Sequence, residues 1–219
     1  MKTASMLSMM AALLVCAAQP ALHAQPAPAA SNDSPSQVVQ DTAQSIMKAL
    51  EGNREAYRKD PAKMEQLVSQ YLLPHLNTQA AARAVLGPHW ATATPEQRQR
   101  FIDAFYHSML SNYGAALAEF TADRLKVYPT SVDPGAKVAT VRTEIKRDNG
   151  DRIQVNYFMG QTPQGWQALD VSIDGISYVK SYKEDFAAQI DKEGLDAVIA
   201  RLEKGEKPSA LGKPRGGKS

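Results

Sequence analysis

The sequence predicts an α+β domain: helices come first, a twisted antiparallel sheet of about four strands follows, and two more helices close the chain. Two observations predict this class. Apolar residues recur at helical spacing over residues 34–120, and from residue 124 they alternate with polar residues, as in strands with one buried face. A curved sheet that faces helices can leave an apolar cavity between the two layers, and we expect one here.

The first 24 residues are predicted to be a signal peptide that is not part of the fold. Lys2 supplies the positive start, Met6–Ala18 forms an apolar stretch too short to remain as a membrane helix, and Leu22–Ala24 offers a cleavage site. Cys16 is the chain's one cysteine and leaves with this segment. The exported protein is therefore expected to contain no disulfide, no thiolate metal ligand and no cysteine nucleophile.

The rest of the chain divides into three parts. Residues 25–33 are predicted to be a flexible leader, residues 34–203 a single domain, and residues 204–219 a disordered Gly- and Pro-rich tail. The tail has five Lys or Arg and one acidic residue, whereas the whole chain has 25 Lys or Arg against 23 Asp or Glu. The domain thus lacks the basic surplus that nucleic-acid binding requires.

Four helices are predicted ahead of the sheet, and their limits come from capping and breaking residues. Ser34 and Gln37 form a capping box at the first helix, and Thr94 and Gln97 form another at the fourth. The fourth helix carries a broad apolar stripe rich in aromatic residues. The predicted spans are Ser34 to Gly52, Asp60 to Pro74, Thr78 to Leu86 and Thr94 to Phe120, with two more at about 180–192 and 195–202 after the sheet.

The strands are predicted from four runs of alternating residues, which are Leu125–Val127, Ala139–Lys146, Ile153–Met159 and Leu169–Ile173. The turn between the second and third strands tests their pairing. A two-residue loop would place Ile145 opposite Gln154, whereas a three-residue loop, Asp148–Gly150, places it opposite Ile153. Because cross-strand partners share a face, we predict the three-residue loop, with Gly150 left-handed.

The sequence shows no catalytic or metal-binding pattern. His75, His89 and His107 are isolated and form no H-x-x-x-H or H-E-x-x-H pair, so no metal site is predicted. The domain has no G-x-S-x-G elbow and no Gly-rich phosphate loop. We therefore predict no catalytic residue and no cofactor.

Two segments of the chain carry the pattern of a known family. The first is RAVLGPHWATATPEQRQRFIDAFYHSMLSNYGAAL, residues 83–117, and the second is GWQALDVSIDGISYVKSYKEDFAAQI, residues 165–190. The second contains W-x-x-x-D-x-x-x-x-G-[VI]-S at Trp166, Asp170, Gly175 and Ser177. Together they resemble the MlaC family, also called toluene-tolerance or Ttg2-type periplasmic phospholipid-binding proteins. Lys183 departs from the pattern, because many relatives carry arginine there, whose planar fork lysine lacks.

The resemblance implies a function in lipid transport. Proteins of this family are soluble periplasmic carriers, not enzymes, and a phospholipid is their cargo rather than a cofactor. They exchange lipid with an outer-membrane lipoprotein–porin complex and with the substrate-binding ring of an inner-membrane ABC transporter, and so maintain outer-membrane lipid asymmetry. By this resemblance the protein is expected to act in the periplasm as a monomer.

The acyl chains are expected to lie between the apolar face of the sheet and the aromatic stripe of the long helix, with Trp90 near the mouth. The predicted lipid-binding residues are Trp90, Phe101, Phe105, Met109, Leu117, Val141, Ile145, Val155, Tyr157, Leu169, Val171 and Ile173. Two other interpretations stay open. One is a small-molecule isomerase or dehydratase on a cone-shaped α+β fold, and the other is a ligand-free periplasmic adaptor with a solid core.

Overall fold

The computed structural model describes residues 33–118, 124–147 and 149–208, and within the first range the side chains of 112–118 are not described. The predicted signal peptide (1–24), the leader up to residue 32, residues 119–123 with the predicted end of the fourth helix at Phe120, Asp148 and the tail from residue 209 lie outside the described residues. None of the helices in the described ranges combines the length and apolar character that crossing a bilayer requires.

The predicted α+β class is confirmed: along the chain, helices come before the sheet and after it. The helices are α1 Pro35–Leu50, α2 Arg54–Lys59, α3 Pro61–Tyr71, α4 Thr78–Leu86, α5 His89–Thr92, α6 Pro95–Ala118, α7 Tyr178–Glu193 and α8 Leu195–Glu203, with a short 3-10 helix at Leu73–His75. The strands are β1 Leu125–Val127, β2 Val138–Lys146, β3 Arg152–Thr162, β4 Gly165–Ile173 and β5 Ile176–Ser177.

Two helices, α2 and α5, were not predicted from the sequence. α2 has no buried residue, so its sequence lacks the periodic apolar residues from which a helix is predicted. Its side chains pair along the surface instead, with Glu55 at 2.8 Å from Arg58 and 3.0 Å from Lys59. α5 is four residues long and likewise buries none of them.

The sheet has the order β1-β2-β3-β4-β5, and each strand is antiparallel to its neighbours. The predicted pairing of β2 with β3 is confirmed: Ile145 lies opposite Ile153 and Val141 opposite Tyr157. The turn closes with a 2.8 Å hydrogen bond from Arg147 N to Asp151 O. Gly150 has φ 91°, the left-handed conformation that the three-residue loop requires.

The fourth strand begins earlier than predicted, at Gly165 instead of Leu169, because a β-bulge interrupts it. Phe158 pairs with Asp170 and Met159 pairs with Ala168, so Leu169 is an extra residue without a partner on β3. The bulge changes the parity of the buried side chains between Ala168 and Val171, and the alternating pattern is therefore interrupted there.

A fifth strand, also not predicted, follows a tight hairpin. Ile173 pairs with Ile176 across the two residues Asp174 and Gly175, whose φ angles are 47° and 81°. Two successive left-handed residues are characteristic of the type I′ turn, which Asp-Gly sequences favour. The Asp-Gly pair was thus a signal for this hairpin in the sequence.

Among the described residues, α1 covers one face of the sheet and leaves much of the other exposed. Val38 and Val39 of α1 pack against Val141, Met159 and Trp166 on the covered face. On the opposite face Phe158 remains 43% exposed and Val138 52% exposed. A second apolar core joins α4, α6, α7 and α8, and a third joins the end of α1 to α3.

Residues 204–208 belong to the predicted disordered tail, but the structure shows their backbone bonded to α6 and α8. The hydroxyl of Ser108, which is fully buried in α6, donates to the Glu206 carbonyl oxygen at 2.8 Å. Glu206 N donates to Arg201 O at 3.1 Å, and Pro208 is buried. The backbone after α8 therefore satisfies a hydroxyl that is buried in α6.

Candidate functional site

An apolar cavity of about 350 Å³ lies between β4 and four helices. Each helix contributes residues at helical spacing, which is how a continuous wall is built from separate segments. Among the lining residues are Val68 from α3 and Leu72 directly after it, Ala81 and Val85 from α4, Phe105 and Met109 from α6, Leu169 and Val171 from β4, and Val179 and Tyr182 from α7. The polar residues in the lining are Asn77, Thr78 and Asp170.

Aromatic rings fix the wall between α6 and α7. The ring of Phe105 meets that of Tyr182 edge-on at 5.0 Å between centroids, and that of Phe186 at 5.6 Å. Phe101 lies one turn before Phe105 and stacks on it at 5.6 Å. Edge-to-face and offset contacts of this kind orient the rings as well as bury them, so this side of the cavity is a packed cluster of aromatic rings.

Asp170 connects β4 to the start of α7. Its Oδ1 accepts from Val171 N at 2.7 Å and from Val179 N at 3.0 Å, and its Oδ2 accepts from the Ser177 hydroxyl at 2.5 Å. The Ser177 Oγ in turn caps α7 by accepting from Lys180 N at 3.0 Å. The W-x-x-x-D-x-x-x-x-G-[VI]-S pattern therefore encodes a strand, a tight turn and a capped helix, and the carboxylate is occupied by protein donors.

The outer edge of β4 is held to the segment before α4. Asn77 N donates to Ala168 O at 2.9 Å, and the Gln167 amide donates to Pro74 O at 3.0 Å. Asn77 also caps α4, because its Oδ1 accepts from Ala80 N at 2.9 Å. These bonds place α4 beside the sheet edge and so close that side of the cavity.

The cavity lies elsewhere than the sequence predicted, beside strand β4 among the helices and not across the whole face of the sheet. The reason is α1, which covers the apolar face of β2 and β3. Four of the predicted residues line the cavity, namely Phe105, Met109, Leu169 and Val171. Their contact with a ligand stays a prediction.

Of the other eight predicted residues, the seven whose side chains are described do not line the cavity. Phe101 is fully buried among the helices, and Trp90 packs against the same core with the Arg98 guanidinium 5.1 Å from its ring. The sheet residues Val141, Ile145, Val155, Tyr157 and Ile173 lie away from it, with Val141 and Tyr157 in the core under α1. The side chain of Leu117 is outside the described residues.

Three elements contribute lining residues that the sequence prediction missed: α3, α4 and α7. Val68 and Leu72 belong to the apolar stripe that the sequence already shows between Asp60 and Pro74. On α7, Tyr178 and Tyr182 are four residues apart and share a face, which was a usable signal. Which stripe faces a cavity and which faces solid core depends on contacts between distant segments.

Two tyrosines of the domain have raised pKa values, Tyr106 in the cavity lining and Tyr157 in the core under α1. Burial, with a smaller contribution from the carboxylate of Glu65, raises the pKa of Tyr106. Burial also raises the pKa of Tyr157 under α1. Both hydroxyls therefore stay protonated at neutral pH, which makes them poor general bases. Among the described residues, no three His, Cys, Asp or Glu side chains lie together as metal ligands would.

Comparison with known sequences finds relatives along most of the chain. A toluene tolerance protein, ttg2D, of Pseudomonas putida is 29% identical over 164 residues, 74% of this chain and 76% of the relative. The intermembrane phospholipid transport system binding protein MlaC of Haemophilus influenzae is 22% identical over 178 residues, 80% of this chain and 83% of the relative.

A solved structure has the same fold. It is the phospholipid-binding protein from Ralstonia solanacearum in complex with a phospholipid, with a TM-score of 0.72 and 24% sequence identity. The similarity covers 79% of this chain and 97% of that one. The model of the MlaC protein family matches residues 40–204, which are 165 of the 219 residues and include every segment that forms the cavity. The chain therefore belongs to the MlaC protein family.

Proposed function

We propose that this protein is a phospholipid carrier that holds acyl chains in the cavity beside β4. The observation that carries the proposal is the lining: 17 of its 20 residues are apolar or aromatic. Apolar cavities stay dry and accept apolar guests. The Ralstonia protein of the same fold is described as binding a phospholipid, which supports the same class of ligand here.

The size of the cavity sets the binding energy it can supply. At roughly 30 Å³ for a methylene-sized group, a volume of 350 Å³ has room for about a dozen methylenes. Each buried methylene contributes about 0.8 kcal/mol, so a filled cavity contributes about 9 kcal/mol before the cost of association. This corresponds to most of one acyl chain. A headgroup finds few polar partners in the lining and is proposed to remain in water.

The finer proposal is a place in transport between the two membranes. Residues 1–24 are proposed to direct export to the periplasm, where the domain of residues 34–203 acts as a monomer. The proposed partners are an outer-membrane lipoprotein–porin complex and the substrate-binding ring of an inner-membrane ABC transporter, and the result is maintained outer-membrane lipid asymmetry. Family membership and the name of the Haemophilus relative support this proposal.

Carriage without catalysis is part of the proposal. The oxygens of Asp170 already accept three hydrogen bonds from the protein, and the raised pKa of Tyr106 keeps its hydroxyl protonated. A reaction would need an acid or base that is free to exchange a proton with a guest.

Native mass spectrometry of the protein purified without detergent tests the proposal. We expect a mass increment that matches a phospholipid, whose identity extraction and lipid mass analysis then establish. A spectrum of the bare chain, unchanged after incubation with vesicles of phosphatidylethanolamine and phosphatidylglycerol, would contradict it.

A further inference from the structure

A buried glycine on β3 lies directly behind one wall of the cavity. Gly160 pairs with Val138 on β2 and with Gln167 on β4, so it sits inside the sheet. Its φ lies outside the left-handed region, so the backbone does not require glycine. A glycine inside a strand weakens the strand, and it often marks a position that another group approaches closely.

The group that approaches Gly160 is the side chain of Leu169. A Cβ built on Gly160 would lie 2.8 Å from Leu169 Cδ1, 3.2 Å from Cγ and 3.4 Å from Cδ2. The first distance is far below a van der Waals contact, and all three atoms belong to one flexible side chain. Any larger residue at position 160 must therefore displace Leu169.

Leu169 is the residue that the bulge inserts into β4, and it lines the cavity. The ladder gives its backbone no partner on β3, so the pairing with β3 does not fix the position of this residue. The empty volume beside it is the cavity itself. Because Leu169 borders the cavity, the empty volume into which it can be displaced includes the space that a guest would fill.

We propose that Gly160 is a specificity-determining residue, because its missing side chain lets Leu169 lie back against the sheet and so sets how much acyl chain the cavity admits. This inference rests on the proposed function as a phospholipid carrier. According to this inference, Gly160 and Leu169 together determine the depth of the cavity. Leu169 contacts the guest, and Gly160 acts only through the position of Leu169.

The test compares two phosphatidylcholines that differ only in acyl length, dilauroyl and distearoyl, in binding to Gly160→Ala and Gly160→Val. We expect about a fourfold loss of affinity for the distearoyl lipid in Gly160→Ala, the loss that follows when one methylene cannot be buried. The loss should exceed about tenfold in Gly160→Val, whereas dilauroyl lipid should bind nearly as well as to the wild type. Gln161→Val is the control, because this exposed neighbour on the same strand points to the other face.

A rescue separates the steric mechanism from general damage to the strand. The double variant Gly160→Val with Leu169→Ala should recover distearoyl binding, since the displaced side chain is shortened. Equal losses for both lipids, or no recovery in the double variant, would overturn the inference. A crystal structure of unliganded Gly160→Ala gives a second readout that needs no lipid: Leu169 turned into the cavity supports the inference, and Leu169 turned to solvent overturns it.

The two proposals fail in different ways. If the wild type binds neither lipid, the proposed function fails and the inference falls with it. If the wild type binds both lipids and Gly160→Val binds them equally well, the inference alone fails.

Discussion

Replacing Asp170 with alanine removes the carboxylate that joins β4 to the start of α7. The change leaves the Ser177 hydroxyl and the Val179 N–H without the acceptor they have at 2.5 and 3.0 Å. Hydrogen bonds to a charged group contribute about 1.5–3 kcal/mol each, and partial exposure of the site favours the lower end. The two bonds to α7 therefore predict a loss of about 3 kcal/mol in the free energy of unfolding.

For a domain of this size, 3 kcal/mol corresponds to a fall in Tm of about 6–12 °C. Thermal unfolding followed by circular dichroism measures it. Glu184→Ala is the control, because this exposed carboxylate lies on the same helix α7. Asp170→Asn should fall between the two variants, because its amide oxygen still accepts from the backbone while its NH₂ group cannot accept from Ser177.

Hydrogen exchange supplies a local check on the same reasoning. The Val179 amide, which donates to Asp170 Oδ1, should exchange faster in Asp170→Ala while amides in the middle of α1 do not change. A Tm for Asp170→Ala no lower than that of Glu184→Ala would refute the assignment of these bonds as the connection between strand and helix.

Three further outcomes follow from the structure. Val171→Glu puts a charge in the cavity wall and should abolish phospholipid retention in native mass spectrometry. The control Ile176→Glu, at a position that is 58% exposed, should retain lipid. Retention by both variants would contradict the proposed site. Burial, opposed in part by Asp41, lowers the pKa of His75, so the unfolded chain binds a proton first as the pH falls. Stability should therefore be full above about pH 6.5 and decline toward pH 5 in urea denaturation, and His75→Asn should show a flatter decline. Gly175→Ala has open space for its methyl but requires φ 81°, so it should cost about 1 kcal/mol of backbone strain in the same assay, and an unchanged midpoint would argue against a rigid hairpin there.

Much of the fold could be predicted from local patterns. The pairing of β2 with β3 followed from parity, because one slipped residue would have put Ile145 beside Gln154. The capping boxes located the starts of α1 and α6, where Ser34 Oγ accepts from Gln37 N and Thr94 Oγ1 accepts from Gln97 N. These features depend on neighbours in sequence or on one turn, so the sequence alone was sufficient.

The position of the cavity could not be predicted in the same way. Phe101 and Phe105 belong to one apolar stripe, yet Phe101 is solid core and Phe105 lines empty space. Val141 was predicted to line the cavity, but α1 packs over it. Local periodicity shows that a side chain is buried. Whether that side chain packs against protein or borders the cavity depends on contacts between segments far apart in the chain.

The bulge in β4 has a consequence for how chains of this kind can vary in length. Ala168 and Val171 share a face although three positions separate them, because Leu169 is an insertion between two stretches that each obey the ladder. Deleting residue 169 would therefore restore uninterrupted alternation and leave the flanking side chains on their present faces. An evolving chain can therefore gain or lose this single residue without changing the register of the strands on either side, although the side chain that it places in the cavity wall would change with it.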